Sequence, residues 1–127
     1  MRRWLAFALD PNGSGLPFSF SYDGHSSRDL LPAWSADSAS RRLGRRRTRH
    51  TLTWHDPATG LIVRCVAVEY ARFPTVEWSL EFENAGAADT PILEDIDALD
   101  VGVMRSAGTE LLLHHNAGSP YGTAPGW

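Results

Sequence analysis

Residues 75–84 constrain the fold of this 127-residue chain more than any other segment, because apolar and polar side chains alternate strictly along them. The apolar positions are Val76, Trp78, Leu80 and Phe82, and the polar positions are Glu77, Ser79, Glu81 and Glu83. A period of two places alternate side chains on opposite faces of a strand. We therefore predict a strand with one face towards a core and the other in water.

Three further segments predict strands that are separated from one another by turn residues. Residues 18–22 alternate aromatic residues with Ser, residues 48–55 alternate Thr with apolar residues, and residues 61–70 are rich in β-branched residues. The cluster at 56–60 contains Pro and Gly, which favour a turn. These strands at short spacing predict an antiparallel meander.

The remaining segments are less regular. Residues 25–47 are polar and predict irregular structure, with an edge or a loop at 30–34. Residues 92–104 predict a strand with a bulge near 95–98, although their apolar residues also fit an amphipathic helix. Residues 110–115 predict a last strand.

These elements predict an all-β fold, an antiparallel β-sandwich. The expected organisation is an N-terminal segment at 1–15, a β-sandwich domain at 16–115 and a loop or linker at 116–127. Residues 116–127 carry Gly and Pro without a strand pattern. We therefore expect a sandwich that is incomplete at its C-terminus and a chain that is a piece of a longer protein.

Positive charge is concentrated in one stretch. All twelve basic residues are Arg, and six of them lie in residues 41–49. This stretch is either a patch for an anionic partner or a solvated linker that leads into the strand at 48–55. No aromatic residue interleaves with these arginines, so bases have no stacking platform and we expect no nucleic-acid partner.

No segment is apolar enough to span a membrane, which takes roughly 20 residues. The apolar stretch at 4–9 is shorter than the core of a signal peptide, and Asp10 and Pro11 end it without a cleavage site. We therefore expect no membrane partner and a cytoplasmic location.

Two clusters of ionisable residues are candidates for chemistry. Glu94, Asp95, Asp97 and Asp100 could supply paired carboxylates, but a solvated acidic face is the favoured interpretation. The adjacent His114 and His115 point to opposite faces of a strand, so they cannot share a metal ion. We expect no metal and no cofactor.

The single cysteine and the tryptophans have structural and binding interpretations. Cys65 lies in an apolar run and is expected to be a buried thiol. Trp78 is expected in the core, and Trp54 remains ambiguous. Trp34 and Trp127 lie in predicted loops, where an aromatic ring can pack on the apolar face of a sugar.

A set of segments in conserved order resembles the N-terminal domain of bacterial α-galactosidase-like proteins, the melibiases of glycoside hydrolase family 36 and their relatives. The segments are Leu-Pro-Phe-Ser-Phe at 16–20, His-Thr-Leu-Thr-Trp at 50–54, Asp-Pro-Ala-Thr-Gly-Leu at 56–61, Val-Arg-Cys-Val-Ala-Val-Glu-Tyr at 63–70, Phe-Pro-Thr-Val-Glu-Trp at 73–78, Asp-Thr-Pro-Ile-Leu-Glu-Asp-Ile at 89–96 and His-His-Asn-Ala-Gly-Ser-Pro at 114–120. The stretch from Leu16 to Pro120 in which they lie, in order and with similar spacing, covers roughly four fifths of the chain. The arginine-dense stretch and the first 15 residues depart from the family pattern.

The resemblance implies a galactose-mutarotase-like β-supersandwich that precedes a catalytic (β/α)8 barrel. The catalytic aspartates of that family belong to the barrel, so no catalytic residue is assigned here and the chain alone is expected to be inactive. The implied partners are the barrel, a galactoside-type carbohydrate and a possible second copy of the chain. The implied sugar-pocket rim gives the candidate substrate-binding residues His115, Asn116, Ser119 and Trp127.

Two alternatives remain open from the residues themselves. The first is a free-standing carbohydrate-binding sandwich, which rests on the loop tryptophans and their polar neighbours. The second is an interaction module that uses the arginine stretch on an anionic partner.

Overall fold

Two antiparallel sheets make up the part of the chain that the structure, a computed structural model, describes: residues 8–12, 14–102, 107–108, 110, 112 and 114. The strands are β1 (Ser19–Tyr22), β2 (His25–Ser26), β3 (Ser35–Arg42), β4 (Arg47–His55), β5 (Leu61–Tyr70), β6 (Thr75–Asn84) and β7 (Leu93–Asp97). One sheet has the order β2-β1-β7 and the other has the order β3-β4-β5-β6. The predicted all-β class is confirmed.

The four-stranded sheet is a simple meander, as the sequence predicts. Strands β5 and β6 have the predicted bounds, and β4 starts one residue earlier than predicted. The register places Cys65 of β5 between Leu52 of β4 and Leu80 of β6. Directly opposite residues point to the same side of an antiparallel sheet, so these three side chains share the inner face.

The core lies between β1 and the inner face of the four-stranded sheet. Phe18 packs edge-on against Trp54, with 5.8 Å between ring centroids, and Phe20 packs against Phe82 at 5.3 Å. The predicted alternation at 18–22 is confirmed, because Phe18, Phe20 and Tyr22 are buried. Aromatic pairs of this geometry join the two sheets by more than the burial of area alone.

Strand β3 corrects the prediction of irregular structure at 25–47. All eight of its residues pair with β4, from Ser35 opposite His55 to Arg42 opposite Thr48. The strand consists of Ser, Ala, Asp and Arg and has no apolar face, so its pattern gives no strand signal. Its charged side chains suit an edge strand, because they discourage pairing with another chain.

A short helical segment precedes β3. Helix α1 (Ser27–Leu30) is followed by a 3₁₀ turn (Leu31–Ala33) that contains Pro32. The buried Ser27 hydroxyl accepts a hydrogen bond from the backbone N–H of Phe20 at 3.1 Å, which ties the helix to β1. The segment turns the chain from β2 back across the core.

The predicted bulge near residues 95–98 is confirmed. Ser19 lies opposite Asp97 and Ser21 lies opposite Glu94, so β7 has one more residue than β1 between these pairs. Asp95 takes a positive φ of 47° within the bulge. The helical alternative for this segment is wrong, and so is the predicted extent of the strand, because β7 ends at Asp97.

The predicted last strand at 110–115 lies largely outside the described residues. Glu110, Leu112 and His114 are described and belong to no strand. No helix among the described residues is long and apolar enough to cross a membrane.

Candidate functional site

The four candidate substrate-binding residues lie outside the described part of the chain. They are His115, Asn116, Ser119 and Trp127. Their assignment to a sugar-pocket rim stays a prediction.

The described tryptophans belong to the core rather than to a ligand platform. Trp54 is fully buried, and its indole Nε1 donates to the carbonyl of Pro11 at 3.1 Å. Trp34 is 9% exposed and packs edge-on against Tyr22 at 5.9 Å. Trp34 lies in the connection between the 3₁₀ turn and β3, as predicted, but its burial contradicts a role as a ligand platform. Trp127 lies outside the described residues, and its role in sugar binding stays a prediction.

Exposed aliphatic side chains cluster on β7 and the residues next to it. We call this set the β7 apolar surface; its members and their exposed fractions are Ile92 (72%), Ile96 (49%), Leu99 (63%) and Val101 (41%). Single exposed apolar residues are normal on a folded protein, whereas four within ten residues make this segment a candidate for contact with other protein.

Hydrogen bonds from three directions fix the backbone of this segment. The N–H of Asp23 donates to the carbonyl of Ile92 at 3.2 Å, and the N–H of Asp100 donates to Pro17 at 2.7 Å. Between them, the indole Nε1 of Trp78 donates to the carbonyl of Ala98 at 2.7 Å. The apolar side chains are thus held on a positioned backbone, which lowers the entropy cost of covering them.

The acidic residues of the same segment are solvated, as the favoured interpretation expects. Glu94, Asp95 and Asp97 are exposed. Asp100 accepts a hydrogen bond from Arg28 at 2.6 Å, which together with the Ser19 hydroxyl holds the pKa of its carboxyl below the ordinary value. The described residues contain no group of three metal-ligating side chains.

A hydrogen-bond chain closes the β4–β5 turn, at the end of the sheet where Trp54 lies opposite Val63. The Thr59 hydroxyl donates to the buried carboxylate of Asp56 at 2.5 Å. Because that hydroxyl has a single proton, the Tyr22 hydroxyl, 2.7 Å away, must donate to Thr59. Asp56 also accepts from the N–H of Ala58 at 3.0 Å, so its charge is satisfied and its role is structural.

A second polar chain crosses three strands of the inner face. The Nε2 atom of His50 lies 3.4 Å from a carboxylate oxygen of Glu69, and its Nδ1 atom lies 2.9 Å from the Ser40 hydroxyl. A carboxylate only accepts, so in the neutral ring Nε2 carries the proton and Ser40 donates to Nδ1. This chain orients the Glu69 carboxylate towards β4.

The cysteine is inert in the native protein. Cys65 is buried, as predicted, and burial raises the pKa of its thiol to about 12. The thiolate is the reactive form of cysteine, so this side chain is a core residue rather than a nucleophile.

The arginine stretch is a hairpin end. Its arginines are exposed, as the interpretation as a solvated stretch expects, but the prediction of a linker is wrong. Arg41 and Arg42 lie in β3, while Arg47 and Arg49 lie in β4, with Arg41 directly opposite Arg49. The turn between them is closed by a hydrogen bond from the N–H of Leu43 to the carbonyl of Arg47 at 2.8 Å. Gly44 adopts a positive φ of 85° in this turn. A glycine within the stretch is the sequence feature that indicates a turn at this position.

A small cavity lies beside β1 and helix α1. Its volume is about 160 Å³, and its walls include Pro11, Leu16, Phe18 and Leu31. Sites for small-molecule ligands typically measure about 300–1,000 Å³, so this cavity does not identify one.

A comparison of the chain with known protein families, with curated proteins and with solved structures gives no match.

Proposed function

We propose that this chain is the N-terminal β-sandwich of an α-galactosidase-like glycoside hydrolase, with the galactose-mutarotase-like supersandwich fold. Its role is to support a catalytic (β/α)8 barrel, and residues 115–127 contribute to the rim of the sugar pocket. The parent enzyme acts on α-galactosides or related glycosides in the cytoplasm, and the chain alone is inactive. The ordered set of segments between residues 16 and 120 suggests this family.

The β7 apolar surface is the observation that carries the proposal. Burial of a fully exposed Ile, Leu or Val side chain stabilises a protein by about 1.5–3 kcal/mol. Four such side chains on a backbone fixed by hydrogen bonds from Asp23, Trp78 and Asp100 favour a large and permanent partner. A barrel joined to the same chain provides a partner of that kind.

The half-buried face of β6 supports the same conclusion. Its apolar positions alternate as predicted, yet Val76 and Trp78 keep part of their surface in contact with solvent. Leu80 and Phe82 are half-buried as well, although Phe20 of β1 packs against Phe82. More protein at this edge would complete the inner face.

The test compares the 127-residue chain with the product of the reading frame that continues past the Trp127 codon in the genomic DNA. We expect that frame to encode a barrel, and we expect its product to release 4-nitrophenol from 4-nitrophenyl α-galactoside. The chain alone should release none. A downstream sequence without a barrel, or hydrolysis by the chain alone, would contradict the proposal.

A pair of variants tests the surface itself. The isolated chain should self-associate through its uncovered apolar side chains, as measured by sedimentation velocity. The double variant Ile92→Ser/Leu99→Ser should shift the distribution towards the monomer. The matched control Phe73→Ser removes an equally exposed apolar side chain (61% exposed) from the β5–β6 turn and should change little. An equal effect of the two variants on self-association would contradict a specific role for the β7 apolar surface.

A further inference from the structure

The inner face of the four-stranded sheet ends at the β3–β4 turn in an open groove that the proposed function does not use. Its volume is about 340 Å³. Its wall consists of Arg42, Arg45, Arg46, Arg47, Thr48, Glu69 and Ala71. The Arg47 side chain hydrogen-bonds to Tyr70 on the opposite face of the sheet, so the arginines that can present their guanidinium groups to the groove are Arg42, Arg45 and Arg46. This groove is about as large as the smaller ligand sites of proteins, which start near 300 Å³.

The arginines of the groove have no carboxylate partners within the described residues. The ion pairs found there involve Arg28, Arg64 and His50, and none involves an arginine of the groove. The only acidic side chain in the groove wall, Glu69, is directed to His50 at 3.4 Å. Three guanidinium groups thus share one groove with a single carboxylate, and the net positive charge is stabilised by an added anion.

The backbone beneath these side chains is fixed from two sides. The turn is closed by the hydrogen bond from Leu43 to Arg47, and the N–H of Ala71 donates to the carbonyl of Arg46 at 2.8 Å. The second hydrogen bond joins the β3–β4 turn to the connection between β5 and β6. Arginines on a positioned backbone lose less freedom when they bind a ligand.

The chemistry of the groove selects a class of ligand. Guanidinium groups match the geometry of phosphate oxygens and bind them in pairs of parallel hydrogen bonds. The Thr48 hydroxyl in the wall adds a donor that does not carry charge. None of the described residues in its wall is aromatic, so they offer a base no stacking surface.

We propose that this groove is a binding site for an oligophosphate group, with Arg42, Arg45 and Arg46 as its charged ligands. The ligand is a free diphosphate or triphosphate or a small ester of one, and two or more of the arginines engage it at once. The site is separate from the β7 apolar surface, and its existence does not depend on the glycosidase proposal.

The test titrates the 127-residue chain with sodium tripolyphosphate at low ionic strength, with binding followed by broadening of the ³¹P resonances. Exposed ion pairs contribute little individually, so we expect Arg45→Gln or Arg46→Gln to weaken binding about two- to fivefold and the triple variant Arg42→Gln/Arg45→Gln/Arg46→Gln to weaken it at least about tenfold. The matched control Arg72→Gln removes one exposed arginine outside the groove and should leave the affinity within about twofold. Circular dichroism of each variant establishes that the sheet is retained.

Three further probes separate the sources of phosphate. Inorganic phosphate should bind more weakly than tripolyphosphate, because it engages fewer arginines. Vesicles of an anionic phospholipid and a short DNA duplex should bind no better, per phosphate, than tripolyphosphate. Equal affinities for phosphate and tripolyphosphate, preferential binding of vesicles or DNA, or unchanged affinity in the triple variant would overturn the proposal.

Discussion

The two ends of the four-stranded sheet present opposite chemistry on the same inner face. At one end, the register aligns Ala36, Trp54, Val63 and Phe82 in one row and Ser38, Leu52, Cys65 and Leu80 in the next. At the other end, the rows are Ser40, His50, Ala67 and Trp78, followed by Arg42, Thr48, Glu69 and Val76. The change occurs within single strands, over two residues of β3 and β4.

The strands of this sheet therefore extend further than the core that covers them. The β1 strand and its aromatic side chains cover the apolar rows, where Trp54, Val63 and Cys65 are fully buried. The ladder continues into the polar rows, where cover decreases: Ala67 is still fully buried and Trp78 still donates to the carbonyl of Ala98, whereas in the last row Arg42 is exposed and its neighbours are half-buried. Stability should therefore depend on the apolar end, and ligand or partner contacts should depend on the surfaces outside it.

The largest contrast should come from two substitutions in the same strand. Trp54→Ala at the apolar end should lower the free energy of unfolding by about 3–5 kcal/mol, since it leaves a cavity in the core. Thr48→Ala at the other end, which we call the arginine end because it adjoins the β3–β4 turn, should change the free energy of unfolding by no more than about 0.5 kcal/mol. Urea denaturation followed by circular dichroism measures both, and similar losses would mean that the two ends are equally important.

The next contrast concerns the turns that close the apolar end. A Cβ atom on Gly86 would meet the carbonyl oxygen of Thr59 in the β4–β5 turn, whereas a Cβ on Gly102 would meet nothing within 4 Å. Gly86→Ala should therefore destabilise the fold by about 1–3 kcal/mol, as overpacked sites do. Gly102→Ala serves as the control and should leave the denaturation midpoint in place; a matching shift would show that the turns do not pack as described.

Two tyrosines offer a smaller contrast. The Tyr22 hydroxyl donates to Thr59 at the apolar end, and the Tyr70 hydroxyl donates to Glu77 at 2.7 Å on the solvent side of the arginine end. Tyr22→Phe should cost about 0.5–1.5 kcal/mol, which is typical of a lost hydrogen bond in a protected site. Tyr70→Phe should cost less than about 0.5 kcal/mol because water replaces its exposed partner. The reverse order of the two losses would contradict this comparison.

The smallest effect is a dependence on pH at the β7 edge. The pKa of Asp100 is lowered in the folded chain by hydrogen bonds from Arg28 and Ser19, relative to an ordinary value of 3.8. The ionised Asp100 carboxylate therefore stabilises the fold above pH 3.8, and this stabilisation is lost as the pH falls through the lower pKa of the folded chain. Arg28→Gln should flatten the decrease in melting temperature between pH 5 and pH 2, by about the small amount that an exposed pair contributes. An unchanged acid profile in the variant would show that this pair is not coupled to folding.

The sequence predicts strands best where burial imposes alternation. Strands β5 and β6 follow their patterns to the residue, because each has one face on the core. Strand β3 escapes prediction because its order comes from eight pairings with β4, and its Ser, Ala, Asp and Arg residues bury no common face. Trp34 lies in a connection, as predicted, but its burial escapes prediction because it depends on contact with Tyr22 of β1.

The candidate sites were harder to predict than the fold. Six arginines in nine residues show a charge cluster, but only the β3–β4 pairing shows that they surround a hairpin end rather than extend along a linker. The β7 apolar surface was equally hidden, because Ile92 and Ile96 look like core residues in the sequence. Exposure of an apolar side chain is a property of the tertiary structure, and local pattern does not determine it.

The most direct test of the central claim is amide hydrogen exchange, measured by mass spectrometry on the chain alone and on the product of the continuous reading frame. We predict that amides at 92–101 exchange more slowly in the longer protein, because the barrel covers the β7 apolar surface there. Amides at the hairpin turn, 43–47, should exchange at the same rate in both. Equal exchange at 92–101 in the two proteins would contradict the account.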